Sequence, residues 1–347
     1  MTQTMTRMIE IDGSRGEGGG QVLRTALALS LATGTPFRIA GIRGGRAKSG
    51  LLRQHLTCVR AAEALSDARV EGGELRSTEL TFAPQALRGG SHAFAVGMAG
   101  SALLVLQSVL PALLTGPEPA ELTIEGGTHN PAAPPWEFVE RSWLPLLRRM
   151  GARVEARIGR RGFMPAGGGR IVVRVTPVAR LAPLHMPERS PVSRLYAEAI
   201  FNGLGDDIPQ RMLDAAGERL GLAPEDRLLR KVKSPGGGGA LAITAQMETH
   251  AEVATAFARK GVAAEGVAKE AATQMRRFLD RPGSVGRHLA DQLLLPMALA
   301  GGGSFTTRRP TPHTMTNIQT IRAFLDIPVT VQAGAEEGAP HRIEIGD

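Results

Sequence analysis

Three apolar stretches, each bounded by glycine, recur along the chain at residues 22–32, 102–114 and 289–300. Glycine readily adopts the left-handed conformation that ends a helix, and short β-rich segments favour strands. The glycines that follow the stretches are Gly34, Gly116 and Gly301, and the β-rich segments after them are 37–40, 121–124 and 304–307. The pattern therefore predicts a helix followed by a strand at three places.

A second helix and short strands follow each of these strands. Amphipathic spacing predicts the second helices over residues 51–65, 136–150 and 317–325. Short strands come next, for example at 153–156 and 329–331. Each unit is thus predicted as strand, helix, strand, helix and two strands, and such self-similarity is typical of a repeat architecture.

The spacing of the units predicts a domain inserted between the second and the third. Gly34 and Gly116 lie 82 positions apart, whereas Gly116 and Gly301 lie 185 apart, a surplus of 103. We therefore predict an α+β fold in which three repeated βαβαββ units form a large domain, with a smaller α/β domain inserted between units two and three. The predicted boundaries are 1–183 plus 277–347 for the large domain and 184–276 for the insert.

Inside the predicted insert, the pattern gives two helices, a glycine-rich turn and a strand. The helices are predicted at 192–202 and 265–278, the turn at 234–239 and the strand at 240–245.

Composition describes a folded chain of 347 residues with a net charge of +8. A hydrophobic content of 42% with 21% charged residues is globular, and aromatic residues at 4% argue against a base-stacking RNA-binding sheet. The single cysteine, Cys58, excludes an internal disulfide framework and multi-cysteine metal sites. We expect a cytoplasmic protein, since no signal-peptide pattern precedes Met8. The positive charge favours an anionic partner, although a basic solubilising surface would give the same count.

Residues 89–117 carry no charged side chain and are long enough to span a bilayer. Glycines, polar residues and Pro111 interrupt the segment. We therefore predict a strand, a glycine turn and a buried helix, and no membrane partner.

Polar loops fall at equivalent places in the three units, between the second strand and the second helix. They are residues 43–48, 126–131 and 308–313. If the units pack around a pseudo-threefold axis, these loops converge on one cleft, and loops on rigid scaffolds commonly carry functional sites.

A glycine-rich segment at 16–21 precedes the first helix. It lacks the Lys-Ser/Thr pair of a Walker A loop and the spacing of a dinucleotide fingerprint, but it can form an anion-binding nest. Glu17 within it has two interpretations: a ligand of a divalent cation that bridges to phosphate, or a helix-start acid favoured by the helix dipole.

Other polar residues allow both a functional and a structural interpretation. Basic and amide side chains crowd one stretch, where they either grip phosphate oxygens or form a solvated basic face; they are Arg24, Arg43, Arg46, Lys48, Arg53, Gln54 and His55. Gln107, an amide in an apolar helix, either satisfies neighbouring backbone or contacts a ligand.

His313 follows two arginines and is a candidate nucleophile toward phosphorus. The eight histidines show no metal-ligand spacing.

Several segments together resemble the RNA 3′-terminal phosphate cyclases. The resemblance extends in order over almost the whole chain, through 12–13, 16–21, 43–48, 50–55, 130–135, 161–171 (RGFMPAGGGRI), 289–293 (LADQL), and 312–313 with 316–318. It implies the family's fold, which is a large domain of three repeated units with a small inserted one.

The resemblance also implies an ATP-dependent activity with Mg²⁺ or Mn²⁺. The histidine that matches His313 attacks the α-phosphorus of ATP and forms a covalent histidine-adenylate with loss of pyrophosphate. The adenylyl group then passes to an RNA 3′-phosphate, and the adjacent 2′-hydroxyl displaces AMP to leave a 2′,3′-cyclic phosphate. The implied partners are RNA 3′ ends bearing a phosphate, with no obligate protein partner.

Matched to the family's motifs, the remaining site residues fall into three groups. Glu17 would hold the metal. The phosphate- and RNA-binding group is Arg24, Arg43, Arg46, Gln54 and His55, and the ATP-binding group is Gln107, Pro134, His288, Leu289, Ala290, Asp291 and Gln292. The chain departs from the family's pattern at His288, where tyrosine is common, and at His129, where an acid is common.

Three alternatives compete with this interpretation. A non-catalytic relative that serves ribosome assembly as a scaffold would lose residues such as His313, Arg43 and Glu17, which are present here. An enolpyruvyl transferase shares a related repeated architecture but would form no adenylate. A basic RNA-binding module is disfavoured by the low aromatic content and the lack of an arginine-rich tail.

Overall fold

The computed structural model describes residues 7–16, 19–97 and 100–346, and within them the strands form four four-stranded sheets. The first sheet and its helices come from the start of the chain. Its elements are β1 (Ile9–Asp12), α1 (Gly20–Thr33), β2 (Phe37–Ala40), α2 (Arg53–Ser66), β3 (Arg69–Glu71) and β4 (Leu80–Ala83).

The second sheet follows directly. Its elements are β5 (Gly90–Ala95), α3 (Ala102–Leu113), β6 (Ala120–Gly126), α4 (Trp136–Phe138), a π-helical turn (Val139–Trp143), α5 (Leu144–Arg149), β7 (Arg153–Arg160) and β8 (Gly169–Thr176). The predicted helix over 136–150 is therefore present, with a π-turn at its centre.

The next part of the chain contributes one short strand and then a sheet of its own. The elements are β9 (Leu184–Met186), β10 (Val192–Asn202), α6 (Asp207–Leu220), a 3₁₀ turn (Pro224–Asp226), β11 (Arg227–Lys231), β12 (Gly238–Met247), β13 (Ala251–Phe257) and α7 (Ala264–Leu279). The last elements are α8 (Arg287–Leu299), β14 (Gly303–Thr307), α9 (Pro312–Phe324), β15 (Val329–Gln332) and β16 (His341–Ile345).

Three of the sheets share one strand order. The orders are β1-β2-β4-β3, β5-β6-β8-β7 and β9-β14-β16-β15. In each sheet, the two strands that come first along the chain are parallel. The strand that comes last along the chain lies between the second and the third and is antiparallel to both. Helices and mixed sheets together confirm the α+β class.

Helix α1 lies at the centre of the helical layer, where it packs against α3 and α9. Residues 22–23 and 25–31 of α1 are buried, so the helix is enclosed on nearly every side. An apolar helix without a clear polar face suits this position. The main hydrophobic core joins these helices to the inner faces of the three related sheets.

The fourth sheet, with order β11-β10-β12-β13, has a separate hydrophobic core against α6 and α7. Residues 192–202, predicted as a helix, form strand β10 instead, which pairs antiparallel with β12. The prediction was wrong because residues 197–201 are buried on both faces of the strand, and a continuous apolar run does not distinguish a buried strand from a helix. The predicted strand at 240–245 and helix at 265–278 are present as parts of β12 and α7.

Two further details differ from the sequence pattern. Gly34 and Gly301 have φ of 69° and 80°, as a left-handed helix end requires, whereas α3 ends at the right-handed Leu114 and Gly116 is not left-handed. Strand β9, at the start of the span predicted as an insert, pairs with β14 rather than with the fourth sheet. Residues 89–117 form β5 and α3, and no described helix has the length and apolar character needed to cross a membrane.

Candidate active site

A chain of hydrogen bonds joins three helices at the proposed nucleophile. The Nδ1 atom of His313, in the first turn of α9, lies 2.7 Å from Oε1 of Gln21 in the first turn of α1. The Nε2 group of Gln21 donates to Oδ1 of Asp291 on α8 at 2.7 Å. Because an amide oxygen only accepts, His313 donates from Nδ1. In the neutral ring the lone pair then lies on Nε2.

Asp291 is itself fixed from the opposite side. Asn317 of α9 donates to the Asp291 backbone oxygen at 3.1 Å, and Thr25 of α1 donates to the Asn317 side-chain oxygen at 2.8 Å. Burial raises the pKa of the Asp291 carboxyl, and the hydrogen bond from Gln21 and then the charge of His313 oppose that shift. Gln292, next to it on α8, also donates to its Oδ2 at 3.1 Å. The half-buried carboxylate is therefore held by side chains of α1, α8 and α9.

A narrow cleft lies between the helices, next to the hydrogen bonds that join His313, Gln21 and Asp291. Residues from α1, α3, the π-turn, α8 and α9 line it, and they are Gln21, Arg24, Thr25, Gln107, Pro111, Trp143, Asp291, Gln292, Leu295, Pro296 and Asn317. At one end, Nε2 of Gln107 donates to Oε1 of Gln292 at 2.5 Å, and the Trp143 indole donates to the Gln292 backbone oxygen at 3.2 Å.

Arg24 places a cation at this cleft. Burial lowers the pKa of its guanidinium, while Cys58 and Asp291 oppose the shift. Arg24 forms no hydrogen bond or ion pair with the residues that the structure describes. A desolvated cation of this kind calls for an anionic partner, so its setting fits a bound phosphate.

His55 is held as a neutral ring beside the start of α1. Its Nδ1 accepts from the Leu52 backbone N–H at 3.2 Å. Burial, followed by the charges of Arg24 and Arg43, lowers its pKa to about 3. The proton therefore lies on Nε2, and a Cβ atom placed on Gly20 would lie 2.2 Å from that nitrogen.

The glycine-rich segment lies within reach of two other predicted site elements. A Cβ on Gly19 would lie 3.2 Å from Nη2 of Arg46, and a Cβ on Gly16, whose φ is 62°, would lie 2.2 Å from Oγ1 of Thr316. Glycine is thus needed for both the backbone conformation and the close approach. Glu17, the predicted metal ligand, lies outside the described residues. Among the described residues, no three His, Cys, Asp or Glu side chains cluster in a way that could hold a metal ion.

Two predicted phosphate-binding residues have structural hydrogen bonds. Arg43 donates through Nη1 to the backbone oxygens of Lys48 and, at 3.4 Å, Gly50, and so closes its own loop. Gln54 donates to the Ser101 backbone oxygen at 3.1 Å and accepts from its N–H. Since Ser101 is the N-cap of α3, Gln54 fixes the start of that helix.

The predicted ATP-binding residues are not all at the cleft. Gln107, Asp291 and Gln292 line it, whereas Leu289 and Ala290 are 0% and 1% exposed within the core. Pro134 is half-buried in the loop before α4, outside the set that lines the cleft. His288 is exposed in the first turn of α8 and accepts from Nε of Arg287 at 3.2 Å.

Sequence reasoning assigned no role to four hydrogen-bonding residues of the site, namely Gln21, Thr25, Trp143 and Asn317. A polar side chain within an apolar helix, the feature that identified Gln107, also describes Gln21 and Thr25 on α1. The contact of Trp143 depends on the π-turn, which the sequence pattern did not indicate.

Comparison with known proteins identifies the family of the chain. The family model for RNA 3′-terminal phosphate cyclase matches residues 15–331. Proteins named RNA 3′-terminal phosphate cyclase are similar to the chain in Koribacter versatilis (50% identity, covering 95% of this chain and 93% of that one) and in Ralstonia nicotianae (49%, 94% and 94%). A third, from Salmonella agona, is 45% identical and covers 96% of each chain.

These matches define the chain as an enzyme. It belongs to the RNA 3′-terminal phosphate cyclase family, as the motifs predicted. Among solved structures, the enolpyruvyl transferase NikO from Streptomyces tendae matches at 14% identity with a TM-score of 0.36, covering 98% of this chain and 48% of that one. A likeness of that size carries no argument about fold or function.

Proposed function

We propose that the chain converts an RNA 3′-phosphate to a 2′,3′-cyclic phosphate at the expense of ATP, with His313 as the nucleophile. The observation that carries this proposal is the hydrogen-bond chain from His313 through Gln21 to Asp291. It fixes the proton on Nδ1 and so places the lone pair of the neutral ring, which a nucleophile needs, on Nε2. Arg24 lies at the adjacent cleft, where an anionic substrate would relieve its desolvated charge.

Three displacements at phosphorus make up the proposed reaction. The Nε2 lone pair of His313 attacks the α-phosphorus of ATP, and the bond to the β-phosphate oxygen breaks to release pyrophosphate. An oxygen of the RNA 3′-phosphate attacks the same phosphorus, and the P–N bond breaks to return His313. The 2′-oxygen then attacks the RNA phosphorus and loses its proton, and AMP leaves. Activation as an adenylate makes AMP a good leaving group.

The described residues suggest how ATP would be held. Arg24 would bind phosphate oxygens, and neutral His55 would donate from Nε2 beside the glycine-rich segment. Gln107 and Gln292, with Trp143 beside them, would surround the adenosine, and buried Leu289 and Ala290 would form the wall behind it. A divalent cation, Mg²⁺ or Mn²⁺, would neutralise charge on the phosphates, and Glu17 is its proposed ligand.

The same strand order in three sheets supports the finer architecture that the sequence predicts. We propose that three βαβαββ units form the large domain and that the fourth sheet is a domain inserted between units two and three. Since β9 pairs with β14, the insert would begin after Met186 rather than at residue 184. We also propose RNA 3′ ends as the partner, without an obligate protein partner, and the cytoplasm as the site of action.

Label transfer from ATP tests the proposed nucleophile. Incubation of the protein with ATP labelled at the α-phosphate and a divalent ion is expected to give an acid-labile labelled band, because a phosphorus–nitrogen bond hydrolyses in acid. His313→Asn should abolish the label and retain the thermal melting profile. His185→Asn, on β9 and outside the cleft, is the matched control and should label like wild type. An unlabelled wild type, or a His313→Asn variant that labels equally, would contradict the mechanism.

A further inference from the structure

Three arginines lie close to the proposed nucleophile without a carboxylate partner. Arg287 is the first residue of α8, and Arg308 and Arg309 lie in the loop between β14 and α9. All three are exposed, and none forms an ion pair with a residue in the described ranges. Like charges held together without counter-charges repel each other, so this group favours an anion.

Backbone pairing brings the two arginine-bearing segments side by side. The Ser284 N–H donates to Oγ1 of Thr306 at 2.9 Å, and the Val285 N–H donates to the Thr306 backbone oxygen at 3.1 Å. Val285 and Thr307 form a parallel bridge. Because the two segments run in the same direction, 286–287 and 308–309 leave this pairing next to each other. The three arginines therefore belong to one rim.

The rim lies next to Asp291 of α8 and His313 of α9. Arg287 and Asp291 lie one turn apart on the same face of α8, and Arg309 precedes His313 by four residues. His288 links the two sides: although part of its ring is exposed, the surrounding protein, and then the charges of Arg287 and His313, lower its pKa to about 4. The arginines are thus exposed positions close to the half-buried histidine that Gln21 orients.

We propose that Arg287, Arg308 and Arg309 form a binding site for backbone phosphates of the RNA just upstream of its 3′ end. The proposal rests on the proposed function and names residues for its second step. An RNA end that reaches His313 must leave the remainder of its chain outside the cleft, where these exposed guanidinium groups lie. Arginine binds phosphate oxygens through paired N–H groups. The pyrophosphate part of ATP is the competing occupant.

ATP reacts in the first step and RNA in the second. Separate assays of the two steps therefore show whether the rim binds ATP phosphates or RNA phosphates. The variant Arg287→Ala/Arg308→Ala/Arg309→Ala is compared with wild type in label transfer from ATP alone and in cyclisation of a 3′-phosphorylated ten-nucleotide RNA. We expect label transfer to stay within about twofold. We expect the KM for the ten-nucleotide RNA to rise about tenfold, and the slope of log affinity against log salt to become shallower by about 2 for three lost phosphate contacts.

Substrate length gives a second measurement. A 3′-phosphorylated dinucleotide offers few upstream phosphates, so the variant should lose most of the advantage that wild type has for the longer RNA. The charge-conserving Arg287→Lys/Arg308→Lys/Arg309→Lys variant should recover the salt slope and part of the KM, which keeps the test valid if the alanine variant folds poorly. Lys260→Ala/Lys269→Ala/Arg277→Ala removes the same charge from exposed positions on and beside α7 and should leave the length preference unchanged.

Two outcomes would overturn the proposal. A large loss of label transfer without RNA would place ATP phosphates at the rim, and an unchanged length preference and salt slope would show that the rim does not contact RNA. Direct binding of a ten-nucleotide RNA with a 3′-hydroxyl, measured by fluorescence anisotropy, does not require catalysis. It therefore tests the rim separately, even if wild type forms no labelled protein and the proposed function fails.

Discussion

At the scale of single residues, Gln21 decides which nitrogen of His313 carries the proton. Its amide oxygen lies 2.7 Å from Nδ1, and its amide nitrogen donates to Asp291. One neutral side chain thus connects the half-buried carboxylate of Asp291 to the imidazole of His313. Removing a hydrogen-bond partner that orients a functional side chain in this way commonly costs about 10- to 100-fold in activity.

Gln21→Met is therefore expected to slow label transfer by about 10- to 100-fold with little change in the KM for ATP. Methionine keeps the size of the side chain but cannot accept the proton of Nδ1, so the ring loses its fixed tautomer. Pre-steady-state label transfer at varied ATP concentration measures the two quantities separately. Gln210→Met, on the exposed face of α6, is the control. A wild-type rate in Gln21→Met would remove Gln21 from the mechanism.

At the scale of elements, the start of α1 depends on the absence of side chains. Gly20 faces His55, and Gly19 faces Arg46, at distances that leave no room for a methyl group on Gly20. The helix can therefore begin directly against the loop of residues 43–48 and the first turn of α2. This packing places Gln21 and Arg24, in the next turn of α1, at the cleft.

Gly20→Ala should lower the free energy of unfolding by about 1–3 kcal/mol, despite the better helix propensity of alanine. The added Cβ would lie 2.2 Å from Nε2 of His55, so the ring or the helix must move. Denaturant unfolding measures the change. The control is Gly266→Ala on α7, where the nearest atom would be Cγ1 of Val262 at 3.2 Å; it should be neutral or stabilising by up to about 1 kcal/mol. Equal effects at the two glycines would contradict the steric argument.

At the scale of the whole molecule, the fourth sheet is joined to α8 and to the π-turn by buried polar contacts. Glu252 of β13 accepts from the Gly286 N–H at the N-cap of α8, at 3.0 Å. Glu198 of β10 is 1% exposed and pairs with Arg141 of the π-turn and, at 2.7 Å, with Arg230 of β11. The position of α8, and with it Asp291, is therefore tied to the fourth sheet.

Glu252 makes this junction sensitive to pH. Burial raises its pKa from 4.5 to about 7, although the Gly286 N–H opposes the shift. The folded protein then keeps a proton that the unfolded chain releases, so stability falls as the pH rises from about 4.5 to 7 and stays reduced above that. The loss amounts to about 3 kcal/mol for a shift of this size.

Glu252→Gln removes this titration, so its free energy of unfolding should depend less on pH than that of wild type. The difference between variant and wild type should grow in favour of the variant between pH 5.5 and 8.5. Denaturant unfolding at both values measures it. Glu74→Gln, at an exposed position, is the control and should follow wild type. Parallel pH curves for Glu252→Gln and wild type would show that the carboxyl is not buried as described.

Local pattern was sufficient where an element is either amphipathic or bounded by clear signals. The helices at the glycine-bounded stretches and the strands after them lie where the sequence predicts them. The prediction of a helix over residues 192–202 was wrong because a strand buried on both faces has no periodic signal. The prediction that Gly116 ends a helix in the left-handed conformation was wrong, because the chain leaves α3 there without a left-handed residue.

By itself, the sequence determined the α+β class, the family and the segments that approach His313. These follow from local conformational preference and from motifs that remain adjacent along the chain. Only the tertiary structure decided how individual polar side chains are used. Arg43 and Gln54 bind backbone oxygens, whereas Gln21 orients His313. The reason is physical, because a hydrogen bond depends on which groups lie within about 3 Å of each other. At His313, α1 meets α8 and α9, from which it is separated by more than 250 residues of chain.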